Sequence, residues 1–413
     1  MTSSFETCLN AMRGKRYCLC VPISYNIDRQ GDVWLDELWY HDLVEHLRYL
    51  PDLTVLAPYA RYDPAGSDNL IRVDSELKSR LHFAGTGPEH ANIHEAILGL
   101  PTMIRSVWRA VRNADIVHSG IAGWPIPLGF LVNPIAVLLR RPLVIVIESA
   151  FWRIPVGHNA SFKGQVRASF TEMFARWSLR KARLAVYTHS AYRETLPVGK
   201  KGTAAVIPAS WISASDIIPE ADLSISWNNK TRTVRYIYPS RLVVGKGSKV
   251  IIDTIRCLES MSKPIIIDVI GSGDMRGKFE ALACELKHVS LRVLDPVPYG
   301  TQFMALLRKY HAVIVPTVGD EQPRIIYDAF SQGIPVIASD TPGNREIVIS
   351  EQNGAIFPAG QSNLLAPMLI KFSAEPNLLR SFACSARKTA ATHTHTDMHL
   401  SRARLLIEIF GTK

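Results

Sequence analysis

The chain has 413 residues, 47% of them apolar and 20% charged, with 47 Lys and Arg against 37 Asp and Glu. That length exceeds one ordinary core and calls for two domains, and the composition excludes a disordered or fibrous chain. The basic excess favours an anionic partner, whether a membrane face, a phosphorylated substrate or nucleic acid, without choosing among them.

In chain order, the first residues (MTSSFETCLNAMRGKRY) contain no apolar signal core, so a cytoplasmic location is expected. Six cysteines stand at 8, 18, 20, 257, 284 and 384. Cys18 and Cys20 share one side of a predicted strand, which is poor geometry for bonding to each other. No zinc or disulfide framework emerges, and buried, reduced thiols are expected. YCLCVPI, LTVLAP, ADIVHSG, LVIVIES and ARLAVYTHS read as strands. WLDELWYHDLVEHLRYL and FKGQVRASFTEMFARWSLRKA carry helical apolar spacing. An uncharged run over 121–139 approaches membrane-spanning length, but Pro125, Pro127 and Pro134 interrupt it. A buried loop and helix is predicted there instead.

Periodicity fades between about 208 and 233, where Pro, Ser, Asp and Asn accumulate, and then a second series begins. VRYIYPS, PIIIDVIGSG, SLRVLDPV, HAVIVPT and IPVIASD are its strands, separated by helical stretches. The expectation is an α/β chain of two doubly wound domains, 1–212 and 233–385, joined by a linker at 213–232. Terminal helices over 386–413 are expected to pack back on the first domain, and ligands to lie at the carboxyl ends of the strands.

Three segments of the second series carry candidate chemistry. In IYPSRLVVGKGSKVIID, Arg241 and Lys246 flank a predicted helix start near Ser248; a forked donor, a point charge and free helix N–H groups suit a diphosphate. VIGSGDMRGK places Gly271-x-Gly273 after a strand, with Asp295 about twenty residues on. A dinucleotide fingerprint looks similar, but this one lies mid-series, and a tight turn is the preferred reading. In DEQPRIIYD, Pro323 suits a first helical turn, with Asp320 and Glu321 just before it and Asp328 farther along. On spacing alone, two acids holding separate hydroxyls of one ligand and a local Arg324–Asp328 pair stand equal.

The order SRLVVGKG, VIGSGD and VPT–DEQPRIIYD–AFSQGIPVIASDTPGNREIV, over about 234–360, resembles the C-terminal half of retaining GT-B glycosyltransferases of family 4. In that family an Arg and a Lys follow the first strand of the donor domain. A Gly-x-Gly turn and two glutamates separated by seven residues come after them. The resemblance implies a hexosyl transfer from a nucleotide-diphosphate sugar to a glycan or lipid-linked acceptor, in a polysaccharide-type pathway, with retention and without metal or other cofactor. Arg241 and Lys246 would neutralise the leaving diphosphate. Asp320 and the following backbone at Glu321, Gln322, Pro323 and Arg324 would hold the donor sugar. Asp328 would bind the ribose, and the backbone near Gly271 and Val297 would flank the phosphates and base. The departures are aspartates for both glutamates, Glu321-Gln322-Pro323 for the usual Gly-Phe-Gly, and the added cation of Arg324.

The first half matches that family only in its rhythm and in ADIVHSG. Gly31 is the one glycine placed to serve as the family's loop after the first strand. Glu148 stands where many members carry a His; it would orient an acceptor hydroxyl or act as a base, or else pair with Arg153. His118 ends a strand facing the expected cleft, as an acceptor contact or a structural histidine. His393, His395 and His399 do not all share one helical face and have no accompanying acid or thiol cluster, so no metal site is expected. Lys163, Arg167, Arg176, Arg180, Lys181 and Arg183 suit an anionic membrane face, or equally a solvated helix, and no nucleic acid is expected. The rival readings are a GT-B epimerase or phosphorylase, an inactive GT-B partner subunit and a dinucleotide-dependent oxidoreductase.

Overall fold

The computed structural model describes residues 4–62, 70–90, 92–121, 123, 126–155 and 157–411. The first domain contains α1 (Phe5–Ala11), β1 (Arg16–Cys20), β2 (Tyr25–Ile27), β3 (Val33–Asp36), α2 (Glu37–Leu47), β4 (Asp52–Arg61), β5 (Leu70–Arg72) and α3 (Ser75–Lys78). It continues with β6 (Leu81–Pro88), α4 (Ile93–Asn113), β7 (Ile116–Ser119), α5 (Gly129–Leu138), β8 (Leu143–Ile147), α6 (Phe162–Lys181), β9 (Leu184–Tyr187), α7 (Ala191–Thr195) and β10 (Thr203–Val206). Its sheet runs β10-β9-β8-β7-β1-β4, with β6 along β4. An antiparallel ribbon, β2-β3-β5, extends from the far end of β4.

The second domain contains α8 (Glu220–Asn228), β11 (Arg235–Pro239), α9 (Ser248–Ser260), β12 (Ile266–Ile270), α10 (Arg276–Glu285), β13 (Ser290–Leu294), α11 (Thr301–Leu307) and β14 (Ala312–Val315). It ends with α12 (Ile325–Ser331), β15 (Val336–Ser339), α13 (Pro342–Arg345), β16 (Gly354–Phe357), α14 (Ser362–Ala374) and α15 (Pro376–Ala391), followed by α16 (His395–Phe410). The six strands lie parallel in the order β13-β12-β11-β14-β15-β16. The strand order reverses between β11 and β14, which opens a crevice at their carboxyl ends. AVIV of β14 and VIAS of β15 are buried throughout, as strands covered on both faces must be.

Several expectations are corrected. The run at 34–50 is not one helix. Residues 33–36 pair as a strand, and Asp36 then caps α2 by accepting from the Leu38 and Trp39 N–H groups. The 213–232 stretch is not a free linker: α8 buries Leu223 and Trp227 in the second core, two anchors hidden among polar neighbours. The terminal helices divide. α15 packs in the second domain through Leu379, Phe382 and Ala383, whereas α16 packs Met398, Ala403 and Leu406 among first-domain residues. The chain therefore crosses between domains twice, and the His395 N–H donates to the Ile212 carbonyl at 2.8 Å, joining the two crossings. In the 121–139 run, Pro125 lies outside the described residues and α5 occupies the end. Among the described residues no helix is long and apolar enough to cross a membrane.

Gly271 has φ +148, and a Cβ there would stand 1.9 Å from the Ser240 carbonyl oxygen. Gly247, at φ +85, would bring its Cβ within 1.9 Å of the Pro316 carbonyl. The loops after β11, β12 and β14 thus pack backbone on backbone, which is the reason for glycine at the Gly-x-Gly turn. Asp295 pairs with Arg276 at 3.0 Å rather than closing a dinucleotide site. Gly271→Ala should destabilise the protein by roughly 2–4 kcal/mol, by forcing a backbone contact apart. Gly277→Ala, with nothing within 4 Å, should stay within about 0.5 kcal/mol. Urea unfolding midpoints check both.

Candidate donor and acceptor cavities

A cavity of about 250 Å³ opens at the carboxyl ends of β11 and β14. Arg241 and Lys246 line it, together with Tyr238, Tyr299, Phe303, Pro323, Arg324, Asp328 and, from the crossover, Trp211. Lys246 ends a single 3-10 turn, and Gly247 turns the chain into α9, whose N-terminus has no side-chain cap. Two cations converge on one concave surface, beside the start of a helix, an anion site in physical terms. In this structure the Lys246 ammonium is 2.6 Å from the Glu321 carboxylate, so part of that charge is balanced internally.

Asp328 sits in α12, buried, and accepts from the Tyr299 hydroxyl at 2.8 Å. Burial pushes its carboxyl up to about 7, against the smaller opposing effects of the Tyr299 hydrogen bond and of Arg324. The alternative Arg324–Asp328 pair gives way to another arrangement. Arg324 lies over the Trp211 ring at 4.7 Å, because the aromatic face is close and the carboxyl is already hydrogen-bonded. The helix begins later than the sequence suggests: α12 starts at Ile325, and Pro323 precedes it.

Asp320, Glu321 and Gln322 do not line this cavity. The Asp320 carboxylate lies 2.7 Å from the Arg153 guanidinium and 3.4 Å from the His189 ring. Burial pushes that carboxyl up, but His189 and Arg153 outweigh it, holding Asp320 below the usual carboxylate range. The Gln322 side chain both accepts from and donates to the Ala209 backbone, at 2.8 and 3.2 Å. Gly271 and Val297 also lie outside the cavity wall, whereas Tyr299 and Phe303, two and six residues past Val297, form part of it.

A second cavity, about 290 Å³, lies at the carboxyl ends of the first domain's strands. His118, Glu148, Asp42, His46, Arg402 and Trp211 line it. Trp211 therefore borders both cavities. Glu148 is exposed, with Arg402 at 3.9 Å. The alternative Glu148–Arg153 pair is not formed, since Arg153 reaches the other way to Glu172 and Asp320. His118 is 3.0 Å from the Tyr17 hydroxyl, and desolvation holds its imidazole well below the ordinary range, leaving it neutral. Gly31 lies in neither cavity. It makes the exposed β2–β3 turn at φ +85, and the loop after β1, at Val21, Pro22 and Ile23, lines the cavity instead.

The sequence reading missed Trp211, Tyr299, Phe303 and His189, and did not find the Asp320 partner of Arg153. Trp211 had a signal, an aromatic in a largely polar crossover; the others depend on pairing across the fold.

Two facing doubly wound domains with a cation-lined crevice define a class, the GT-B fold. Comparison with known proteins agrees. Residues 221–389 match the family described as group 1 glycosyl transferases. A putative glycosyltransferase of Bacillus subtilis, EpsD, is 24% identical over 159 residues, 37% of this chain and 40% of EpsD, so the match spans less than half of that relative. Among solved structures, sucrose-phosphate synthase from Thermosynechococcus elongatus superposes with a TM-score of 0.70 at 17% identity, covering 96% of this chain and 99% of that one. Anabaena HepE, in complex with UDP and glucose, gives 0.64 at 15% identity, covering 95% and 99%.

The burial of Asp328 has a measurable consequence. Between its ordinary value of 3.8 and about 7, the folded carboxyl keeps a proton that the unfolded chain has lost. Stability therefore falls as pH rises through that window, by up to about 1.4 kcal/mol per pH unit, and levels off above it. Asp328→Asn keeps the acceptor for Tyr299 and should remove the decline. Relative to wild type it should gain stability between pH 5 and pH 8, read from urea unfolding at both.

Proposed function

We propose that the protein transfers a hexosyl group from a nucleotide-diphosphate sugar to a glycan or lipid-linked acceptor, with retention of configuration and without metal at the donor site. The observation that carries this reading is the convergence of Arg241 and Lys246 in one cavity with Asp328 and Tyr299. Arg241 and Lys246 take up the charge that develops on the leaving diphosphate, preorganised electrostatic stabilisation that needs no metal. Asp328, held near neutrality by burial, offers the ribose both a donor and an acceptor. Glu148 and His118 line the acceptor cavity; the exposed carboxylate positions an acceptor hydroxyl, and the neutral imidazole offers a hydrogen bond. The complexes of HepE with UDP and UDP-glucose support a nucleotide sugar as donor.

A lipid-linked acceptor and peripheral contact with an anionic membrane, on its cytoplasmic side, are supported by α6. Phe162, Val166, Phe170 and Met173 form an exposed apolar stripe beside Lys163 and Arg167. The ion pairs Arg153–Asp320 and Lys246–Glu321 favour one second reading, a nucleotide-sugar-binding partner subunit without turnover, because both acids of the loop are already engaged.

Calorimetry with UDP, GDP and their sugars tests the reading. Micromolar binding of one nucleotide is expected, weakened about 10- to 100-fold by Arg241→Ala and by Lys246→Ala, the usual loss of a charged hydrogen bond. No binding of any nucleotide diphosphate would sink the proposal. Binding without release of sugar or transfer to any acceptor would select the second reading.

A further inference from the structure

A cluster separate from the donor cavity joins α2 to α16 across more than 350 positions of sequence. Asp42 Oδ1 lies 3.1 Å from His395 Nε2 and 3.0 Å from His399 Nε2, and the two nitrogens are 3.1 Å apart. With Asp42 ionised, protons satisfy at most two sides of this triangle. Each Nε2 needs a hydrogen to bond the carboxylate, and two N–H groups would then point into one space. Removing one hydrogen sets a nitrogen lone pair against the carboxylate oxygen instead. Three lone pairs aimed at one point suit a cation.

The surroundings resemble the outer shell of a metal centre. His399 Nδ1 is 3.1 Å from the Tyr49 hydroxyl, which fixes the ring with Nε2 inward. His46 Nδ1 lies 3.3 Å from the other carboxylate oxygen of Asp42 and 2.9 Å from its carbonyl. The His395 ring stacks on Trp211 at 5.4 Å and 17°. Asp42 and His46 also line the first-domain cavity, a route for an ion from solvent. Arg402, a turn beyond His399, opposes a cation here, as does His46 when protonated, and the Glu148 carboxylate stands 3.9 Å from Arg402.

We propose that Asp42, His395 and His399 bind a divalent transition-metal ion of the zinc class, which clamps α16 onto α2. Two imidazoles and a carboxylate favour zinc over magnesium or calcium, which prefer all-oxygen sites. Bonds of about 2.0–2.1 Å imply a tetrahedral edge of about 3.3–3.4 Å, so the triangle opens by only a few tenths of an ångström. The sequence reading set metal aside because the three histidines do not all share one helical face and no acid or thiol cluster accompanies them. His395 and His399, at i and i+4, do share a face, and the acid comes from α2.

The test uses tag-free, full-length protein stripped with a chelator. Zn²⁺ titration by calorimetry should give one equivalent per chain, and Co²⁺ should give the visible absorption of a four-coordinate site. His399→Gln and Asp42→Asn should each weaken binding more than about 100-fold, and Tyr49→Phe about 10-fold. His393→Gln, whose ring stacks on Tyr327 outside the cluster, should bind like wild type. No saturable uptake of either ion by wild type at tens of micromolar overturns the proposal, as does wild-type affinity in both ligand variants. The wild-type titration decides even where a substituted chain does not fold.

Discussion

Five consecutive residues, Asp320 to Arg324, hold the two domains in register, and both cavities depend on them. Asp320 pairs with Arg153 and meets His189; its carbonyl accepts from the Ala150 N–H and the Tyr192 hydroxyl, each at 2.9 Å. Glu321 reaches Lys246, Gln322 clasps the Ala209 backbone, and Arg324 covers Trp211. Only Pro323 has no polar side chain to offer, and it is buried in the donor-cavity wall. A partly buried ion pair of this kind stabilises through its added hydrogen bonds more than through bare attraction, since desolvation costs nearly as much as the charges gain. Arg153 is held on its other side by Glu172 at 3.0 Å, so its geometry is set before Asp320 arrives.

That seam fixes the position of Trp211. The crossover indole lies between Arg324 of the second domain and His395 of the returning helix, and it borders both cavities. The Ile212 carbonyl accepts from the His395 N–H, so the outgoing and returning segments move as one. A single aromatic wall held from both sides separates the two spaces, and any rearrangement that joins them must displace its cation–π or its stacking partner. Such contacts are individually modest, which makes this the cheapest place in the seam to open.

The legible part of the molecule was local. Apolar runs such as LVIVI and AVIV, and the helical spacing of 162–181, marked elements that form as read, because their burial is dictated by periods of 2 and 3.6. Arg241, Lys246 and Asp328 were found from their place in an ordered set of motifs, and they do meet in one cavity. The misreadings share one cause. For Arg153 the near neighbour Glu148 was weighed, for Arg324 Asp328, and for the histidines no acid. The structure brings Arg153 to Asp320 as well as Glu172, Arg324 to Trp211, and His395 and His399 to Asp42; Asp320, Trp211 and Asp42 are each more than 100 positions away. Side-chain pairing across domains leaves no periodic trace in sequence. β3 was lost for another reason: a strand of four residues running directly into a capped helix blends into the helical pattern.

The Lys246–Glu321 pair links the chemistry to the seam. A diphosphate entering the donor cavity competes with the Glu321 carboxylate for the same ammonium, and a doubly charged oxygen cluster is the stronger partner in a partly desolvated site. Released from Lys246, Glu321 would carry its charge on the residue adjoining Asp320, within the segment that forms the isolated bridge to Ser149 of the first domain. Donor occupancy and domain register therefore draw on one stretch of backbone.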